Sequence, residues 1–243
     1  MTRDLPDWGA QSSQATVHEV TDLGELAVRL GSIVTHDRRG DVIWFDGFED
    51  GLVKWATATF GTGAAVDLSL TKARNGLFAA RLVAGSDGGL SARIDKTIPF
   101  PVLSPMGAEF SFQLQQNIDN LEFIFDLFDG VDVTQYLITW SDVANNLLYQ
   151  DSAGVDQVFA SDVSLSITDT LFHTMKLVVD MENKVYARLI IDNTTYLLTD
   201  IAALAIADVT TPAVRVRMNL IGRAGDNDLI YVDDVILTQN ENV

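Results

Sequence analysis

The stretch Glu109-Phe110-Ser111-Phe112-Gln113-Leu114-Gln115 decides the fold, because apolar and polar residues alternate in it without a break. Side chains two residues apart lie on the same face of a β-strand, so one face of this strand is apolar and the other polar. The run 121–127 repeats the scheme, with leucine and phenylalanine at every second position. Such alternation is typical of strands that cover a core on one side.

The same pattern continues along the chain in short runs separated by Gly, Asn, Asp and Pro, and long helices are absent after residue 41. Further predicted strands are residues 136–140, 175–180, 185–191, 195–198, 214–221 and 229–237. Ten to twelve strands with short connections and no βαβ rhythm indicate two packed antiparallel sheets. The sequence therefore predicts an all-β jelly-roll sandwich over residues 41–243.

Residues 1–40 differ from this pattern and are predicted to form an N-terminal arm. After Asp22, a short amphipathic helix is predicted, with Leu23, Leu26 and Leu30 on its apolar face and Gly31 at its end. That face either packs on the sandwich of the same chain or docks on a neighbouring subunit. Both interpretations remain open at the level of sequence.

Composition limits the partners and the compartment. The 243 residues contain 16 Lys and Arg against 34 Asp and Glu, a formal charge of −18, so nucleic-acid binding is not expected. The chain has no cysteine and hence no disulfide. The longest apolar run, residues 201–207, is too short to span a bilayer, and the N-terminus lacks the pattern of an export signal. No membrane insertion is expected.

Two segments near the ends of the predicted sandwich carry a resemblance. The sequence FDGFEDG at residues 45–51, followed by residues 73–82, resembles the opening of jelly-roll carbohydrate-binding modules attached to xylanases. Residues 230–237 resemble the closing strand of those modules. Residues 172–180 are more similar to concanavalin A-type or laminin G-type sandwiches. The resemblance implies a galactose-binding-like or concanavalin A-like fold.

The resemblance also implies a structural calcium ion (Ca²⁺). In those modules a Glu of the first motif and an Asp of the last strand commonly hold the ion. These positions correspond to Glu49 and Asp234 here, with a backbone carbonyl near Asn75. The alternative is that both acids are solvated or paired with Arg81.

A sugar site on a jelly roll needs exposed aromatic rings with amides or charges around them. The candidates are Trp140, Tyr136, Gln113, Gln115, Arg215 and Arg217, with Trp55 and Tyr149 as further aromatic residues. Because Tyr136 and Trp140 share one strand face, that face could equally be the buried one. A polysaccharide is the ligand these residues would bind.

No catalytic constellation stands out in the sequence. Glu122 and Asp126 share a strand face, but four residues of strand separate them by about 13 Å, too far for the two carboxylates of a glycosidase. His18, His36 and His173 are scattered, and no Gly-x-Ser-x-Gly motif occurs. The chain is therefore expected not to be an enzyme.

The first functional hypothesis is a structural protein of a phage-type virion, a capsid decoration, tail or fibre component that binds other protein subunits through its arm. The hypothesis rests on the predicted jelly roll, on its acidic surface and on the absence of an export signal, and it is an analogy at the level of fold. The virion is then its location. The alternative is an extracellular carbohydrate-binding module.

Overall fold

The protein is an all-β sandwich, which confirms the predicted fold class. The computed structural model describes residues 37, 39–99 and 102–243, and in this part of the chain it contains sixteen strands and no helix. The predicted helix at residues 22–31 lies outside the described residues. Within those residues, no helix is long and apolar enough to cross a membrane.

The strand count exceeds the predicted ten to twelve because several short edge strands lack clear alternation. In chain order the strands are β1 (Asp41–Asp46), β2 (Ala56–Phe60), β3 (Ala65–Ser69), β4 (Ala79–Val83), β5 (Ser91–Pro99), β6 (Pro105–Leu114), β7 (Asn120–Phe128), β8 (Asp132–Ser141), β9 (Asn146–Gln150), β10 (Asp156–Ala160), β11 (His173–Asp180), β12 (Val185–Ile191), β13 (Thr194–Leu197), β14 (Leu204–Ala207), β15 (Ala213–Ile221) and β16 (Leu229–Gln239).

The strands form two antiparallel eight-stranded sheets. Sheet A has the order β13-β12-β11-β6-β16-β4-β3, with β1 also paired to β16. Sheet B has the order β10-β9-β8-β7-β15-β5-β2, with β14 also paired to β8. Strands distant in sequence are neighbours in both sheets, as in a jelly roll.

The core lies between the two sheets and is built from the apolar faces that the alternation predicted. Phe110 and Phe112 of β6 contact Phe123 of β7 across the sandwich, with ring centroids 5.4 Å and 6.0 Å apart. All three rings are buried. The Phe110–Phe123 pair is edge-to-face, and such a contact adds to the free energy gained from burying the rings themselves.

Tyr186 ties the two sheets together at a gap in sheet B. Strand β8 pairs with β14 up to Gln135 and with β9 from Ile138, so the backbone of Leu137 has no strand partner on that side. The Leu137 N–H donates to the Tyr186 hydroxyl at 2.8 Å, and this hydroxyl donates to the carbonyl of Gln150 at 2.9 Å. A buried side chain thus replaces the missing ladder bond.

The two ends of the described chain meet on the outer face of sheet A, in an arrangement we call the terminal clasp. Lys176 and Arg188 are both buried there. Glu241 lies 2.6 Å from each cation, and Asp37 lies 3.5 Å from Lys176 and 3.4 Å from Arg188. Asp37 therefore packs on the sandwich although the sequence placed it in the arm.

Candidate functional site

The outer face of sheet B carries a group of polar side chains on its central strands. Register places their Cβ atoms on one side of the sheet, opposite to the apolar residues that face the core. We call this group the polar face; it consists of Arg93 and Asp95 on β5, Glu122 and Asp126 on β7, Gln135 on β8, and Arg215, Arg217 and Asn219 on β15.

Asp126 lies at the centre of the polar face and has no solvent-exposed side-chain surface. Its Oδ2 accepts hydrogen bonds from Arg215 Nε and Nη2, at 2.8 Å and 2.6 Å, and from Arg217 Nη2 at 3.2 Å. Its Oδ1 accepts a hydrogen bond from Gln135 at 3.0 Å. A buried carboxylate is tolerated in a protein when such charged donors surround it.

Arg217 continues the network to the next strand, where its Nε donates to Asp95 at 2.6 Å. Arg93 Nε lies 3.2 Å from the same carboxylate, and the Arg93 guanidinium lies over the ring of Phe60 at 5.1 Å. Phe60 is half-exposed at the margin of the polar face. The carboxylates are thus buried, while the guanidinium groups above them reach the surface.

The neighbouring row of the polar face pairs Glu122 with Asn219, whose Nδ2 donates to Glu122 Oε2 at 2.8 Å. Burial raises the pKa of Glu122, and the charge of Asp156 adds to this, while Asn219 and Arg217 act in the opposite direction. The Oδ1 atom of Asn219 is buried and has no hydrogen-bond partner. An acceptor in that state is unusual in a folded protein.

The six sequence-predicted sugar-binding residues do not come together. Trp140 and Tyr136 are fully buried in the core, so their rings have no face open to a pyranose. Trp140 Nε1 donates to the carbonyl of Val163 at 2.9 Å, and the Tyr136 hydroxyl donates to that of Asp180 at 3.3 Å. The alternative of a buried strand face is therefore the correct one.

The four polar candidates divide between the two sheets. Gln113 and Gln115 belong to the outer side of sheet A, where Gln113 is buried and donates to the carbonyl of Thr168 at 2.8 Å. Arg215 and Arg217 lie on the opposite side of the sandwich, in the polar face. Alternation assigned each residue to a polar face but could not tell which sheet that face belonged to.

The residues predicted for calcium do come together. Glu49, Asn75 and Asp234 line one cavity of about 210 Å³, together with Asp46 and Gly47. Glu49 Oε1 accepts from the N–H groups of Leu77 and Phe78 at 2.8 Å and 3.0 Å, and Asn75 Nδ2 donates to Asp234 Oδ2 at 2.7 Å. Arg81 pairs with Asp67 at 2.9 Å instead of with either predicted acid.

Sequence reasoning missed Asp233, which precedes Asp234 at a bulge in β16. At this bulge the strand paired to β16 on the side away from β6 changes from β4 to β1. Burial and the charge of Asp234 raise the pKa of Asp233 to about 7. A side chain at position 47 would have its Cβ 3.6 Å from Asp234 Oδ1 and 3.8 Å from Asp233 Oδ1. Gly47 thus keeps the space in front of both carboxylates open.

The donor set of this cavity suits a hard cation only in part. Carboxylate oxygens are the ligands that calcium prefers, but the ion needs six to eight oxygens. Among the residues that the structure describes, no three His, Asp or Glu side chains converge on a point that could hold a metal. A calcium ion here would need backbone carbonyls or water as further ligands.

Of the three histidines considered in the sequence, His173 is the one within the described residues, and it forms a pair with Asp192. Its Nδ1 lies 2.6 Å from Asp192 Oδ2, and its Nε2 lies 2.9 Å from the carbonyl oxygen of Ser166. Burial lowers the pKa of His173, but the Asp192 and Ser166 hydrogen bonds outweigh this effect and raise it overall. Because Nε2 faces a carbonyl and not a hydroxyl, the pair lacks the nucleophile of a Ser-His-Asp triad.

Known proteins share the fold at low sequence identity. No family model and no curated protein matches the sequence. The solved structure of Cip1, a cellulose-induced protein, matches with a TM-score of 0.54 and 14% identity over 82% of this chain and 98% of that one. A carbohydrate esterase from the Shiga toxin-encoding bacteriophage phi24B matches with a TM-score of 0.55 and 14% identity. The match covers 83% of this chain and 100% of the esterase. An endo-β-1,4-glucuronan lyase from Trichoderma reesei matches with a TM-score of 0.55 and 12% identity. The match covers 82% of this chain and 95% of the lyase.

These matches establish the jelly-roll sandwich class and correct one prediction. The sequence was expected to encode a protein without enzymatic activity. That prediction is wrong, because this fold does not exclude enzymatic activity. Two of the sandwiches of the same fold are described as a lyase and an esterase. The spacing of Glu122 and Asp126 excludes only this pair as the two carboxylates of a retaining or inverting glycosidase, whereas a fold hosts many chemistries.

Proposed function

We propose that the protein binds a polysaccharide across the polar face of sheet B. The observation that carries this proposal is the layering of that face, in which buried carboxylates hold exposed guanidinium groups in fixed positions. Asp126 is fully buried, while Arg215, which is bonded to it, exposes 30% of its side chain, as does Arg93 beside Asp95. Such fixed donors bind a ligand without the entropic cost of ordering flexible side chains.

The face also offers acceptors and an aromatic surface, as sugar hydroxyls and pyranose rings require. Glu122 supplies a carboxylate, whose Oε2 accepts a hydrogen bond from Asn219. Phe60 supplies an exposed ring at the margin, which replaces the buried Trp140 and Tyr136 as the candidate stacking residue. Known sandwiches of this fold include proteins named for cellulose and glucuronan, and their names support a polysaccharide as the ligand.

The test compares two matched arginine variants by isothermal titration with β-1,4-linked glucose and glucuronic acid hexamers. Arg215→Gln alters the polar face, whereas Arg81→Gln alters an arginine of sheet A that is similarly exposed and likewise pairs with an Asp of the adjacent strand. We expect Arg215→Gln to weaken binding by about tenfold or more and Arg81→Gln to leave it unchanged. Equal binding by the two variants contradicts the proposal.

We further propose that calcium stabilises the junction of β1 and β16, with Glu49 and Asp234 as ligands and a backbone carbonyl near Asn75. Support comes from the shared cavity and from the open space in front of Asp233 and Asp234. A chelator should then lower the melting temperature, and added calcium should restore it, since ligand binding at a hundredfold excess over Kd stabilises by about 2.7 kcal/mol. An unchanged melting curve, together with Glu49→Ala behaving like Asp67→Ala, refutes the assignment.

A second candidate function is attachment to a phage virion through the arm, with Leu23, Leu26 and Leu30 as the docking residues. The fold of the phage phi24B esterase favours it. Because Asp37 belongs to the terminal clasp, the informative deletion ends at residue 36. We expect the shortened protein to keep its β-rich circular dichroism spectrum and to lose oligomers or partner binding in light scattering. Unchanged assembly contradicts the proposal.

A further inference from the structure

The polar face differs in charge from the protein that carries it. The whole chain has a formal charge of −18, whereas this face combines three guanidinium groups with the two buried carboxylates of Asp95 and Asp126. Glu122 is the remaining ionisable group of the face. The face is therefore neutral when Glu122 is ionised and carries one net positive charge when Glu122 is protonated.

The two arginines of β15 also keep donors directed away from their protein partners. Arg215 and Arg217 use Nε and Nη2 for their bonds to Asp126 and Asp95. Within the described part of the chain, neither Nη1 forms a hydrogen bond. Guanidinium N–H groups in a fixed plane match the two oxygens of a carboxylate, and hydrogen bonds between charged groups are stronger than those to neutral hydroxyls.

We propose that the polar face selects polysaccharides that carry carboxylates, uronic acid polymers, over neutral ones, and that Glu122 sets the pH range of this selection. The inference rests on the proposed function and adds the chemical class of the ligand. The ligand carboxylate binds at the Nη1 groups of Arg215 and Arg217. Buried Asp126 acts as a positioning residue, because it fixes both arginines without reaching the surface.

The charged groups around Glu122 determine the direction of the pH effect. Arg217 approaches it from β15, Asp156 from β10, and Asn219 bonds to it directly, while Thr139 of β8 is uncharged. Burial raises the pKa of Glu122, so the carboxyl group retains its proton to higher pH than an exposed glutamate. When Glu122 ionises, a negative charge appears on the same face as the bound carboxylate, one row from Arg217. Affinity for an acidic ligand must therefore fall as pH rises.

The experiment uses the full chain and two hexamers with the same β-1,4 linkage, one of glucose and one of glucuronic acid, which differ only in the carboxylate at C6. Short oligomers limit the contact between the charge of the ligand and the acidic remainder of the protein. Titrations at about pH 5 and about pH 8, both well above the pKa of an exposed uronate, separate the charge of Glu122 from that of the ligand. Glu122→Gln and Arg81→Gln are the matched variants.

We expect the acidic hexamer to bind about tenfold or more tightly than the neutral one at the lower pH, and its affinity to fall by about twofold at the higher pH. Glu122→Gln should abolish this fall, and Arg81→Gln should retain it. Equal affinity for the two hexamers overturns the selection while the proposed function stands. A pH effect that persists in Glu122→Gln overturns the role of Glu122. Equal binding by Arg215→Gln and Arg81→Gln overturns the proposed function itself.

Discussion

Replacing Asp126 with alanine should destabilise the protein by about 3–5 kcal/mol, because it leaves two arginines without the carboxylate they share. Asp126 is wholly buried and accepts three hydrogen bonds from Arg215 and Arg217 and one from Gln135. Arg217 keeps its bond to Asp95, so part of its charge stays compensated. The loss of stability therefore comes mainly from Arg215, since Asp126 accepts both of its hydrogen bonds.

The matched control is Asp67→Ala, which removes the partner of Arg81 from an ion pair with the same residue types on adjacent strands. That pair is exposed, with 45% and 39% of the two side chains accessible, so its removal should cost at most about 1 kcal/mol. Urea unfolding followed by tryptophan fluorescence measures both variants. With a slope of about 2–3 kcal/mol/M, Asp126→Ala should lower the midpoint by about 1–2.5 M. A midpoint equal to that of Asp67→Ala refutes the reasoning.

Three further variants test other parts of the structure. Burial raises the pKa of Glu109 to about 8, above its unfolded value of 4.5, so the stability it contributes is full at low pH and is lost as pH rises toward 8; Glu109→Gln should flatten that decline in melting temperature. Tyr186→Phe should cost about 1–3 kcal/mol in urea unfolding, since it leaves the buried N–H of Leu137 without an acceptor. Phe123→Ala should cost about 3–5 kcal/mol by opening a cavity between the sheets, and a loss below 1 kcal/mol would contradict the packing described.

The fold could be predicted from the sequence because burial on one side of a strand leaves a mark on every second residue. Phe110, Phe112 and Phe123 carried that mark, and all three lie in the core. The edge strands were missed because both of their faces are partly exposed, so selection for alternation is weak there. In β10, for example, Gln157 and its neighbour Val158 are both exposed.

The candidate site could be predicted only in fragments, because alternation reports the period of a strand and not its position in a sheet. Trp140 and Gln113 had the right period for a binding face, but the structure places one in the core and the other on the outer side of sheet A. The approach of Glu49 to Asp234 came from resemblance, since nothing in their spacing indicates it. The sequence could not show that the side chains of Asp233 and its neighbour Asp234 both lie near Gly47, because successive residues of a regular strand point to opposite faces and only a bulge brings them together.

The terminal clasp has a consequence for how the domain joins other chains. Asp37 and Glu241 reach the same two cations, Lys176 and Arg188, so the polypeptide enters and leaves the sandwich at one spot. A domain with adjacent ends can be inserted into a loop of a host protein without separating the two halves of the host. The same geometry favours circular permutation, with a short linker over the clasp and new ends in an exposed turn such as residues 152–155. A host chain joined at the clasp would lie on the side of sheet A and leave the polar face of sheet B open.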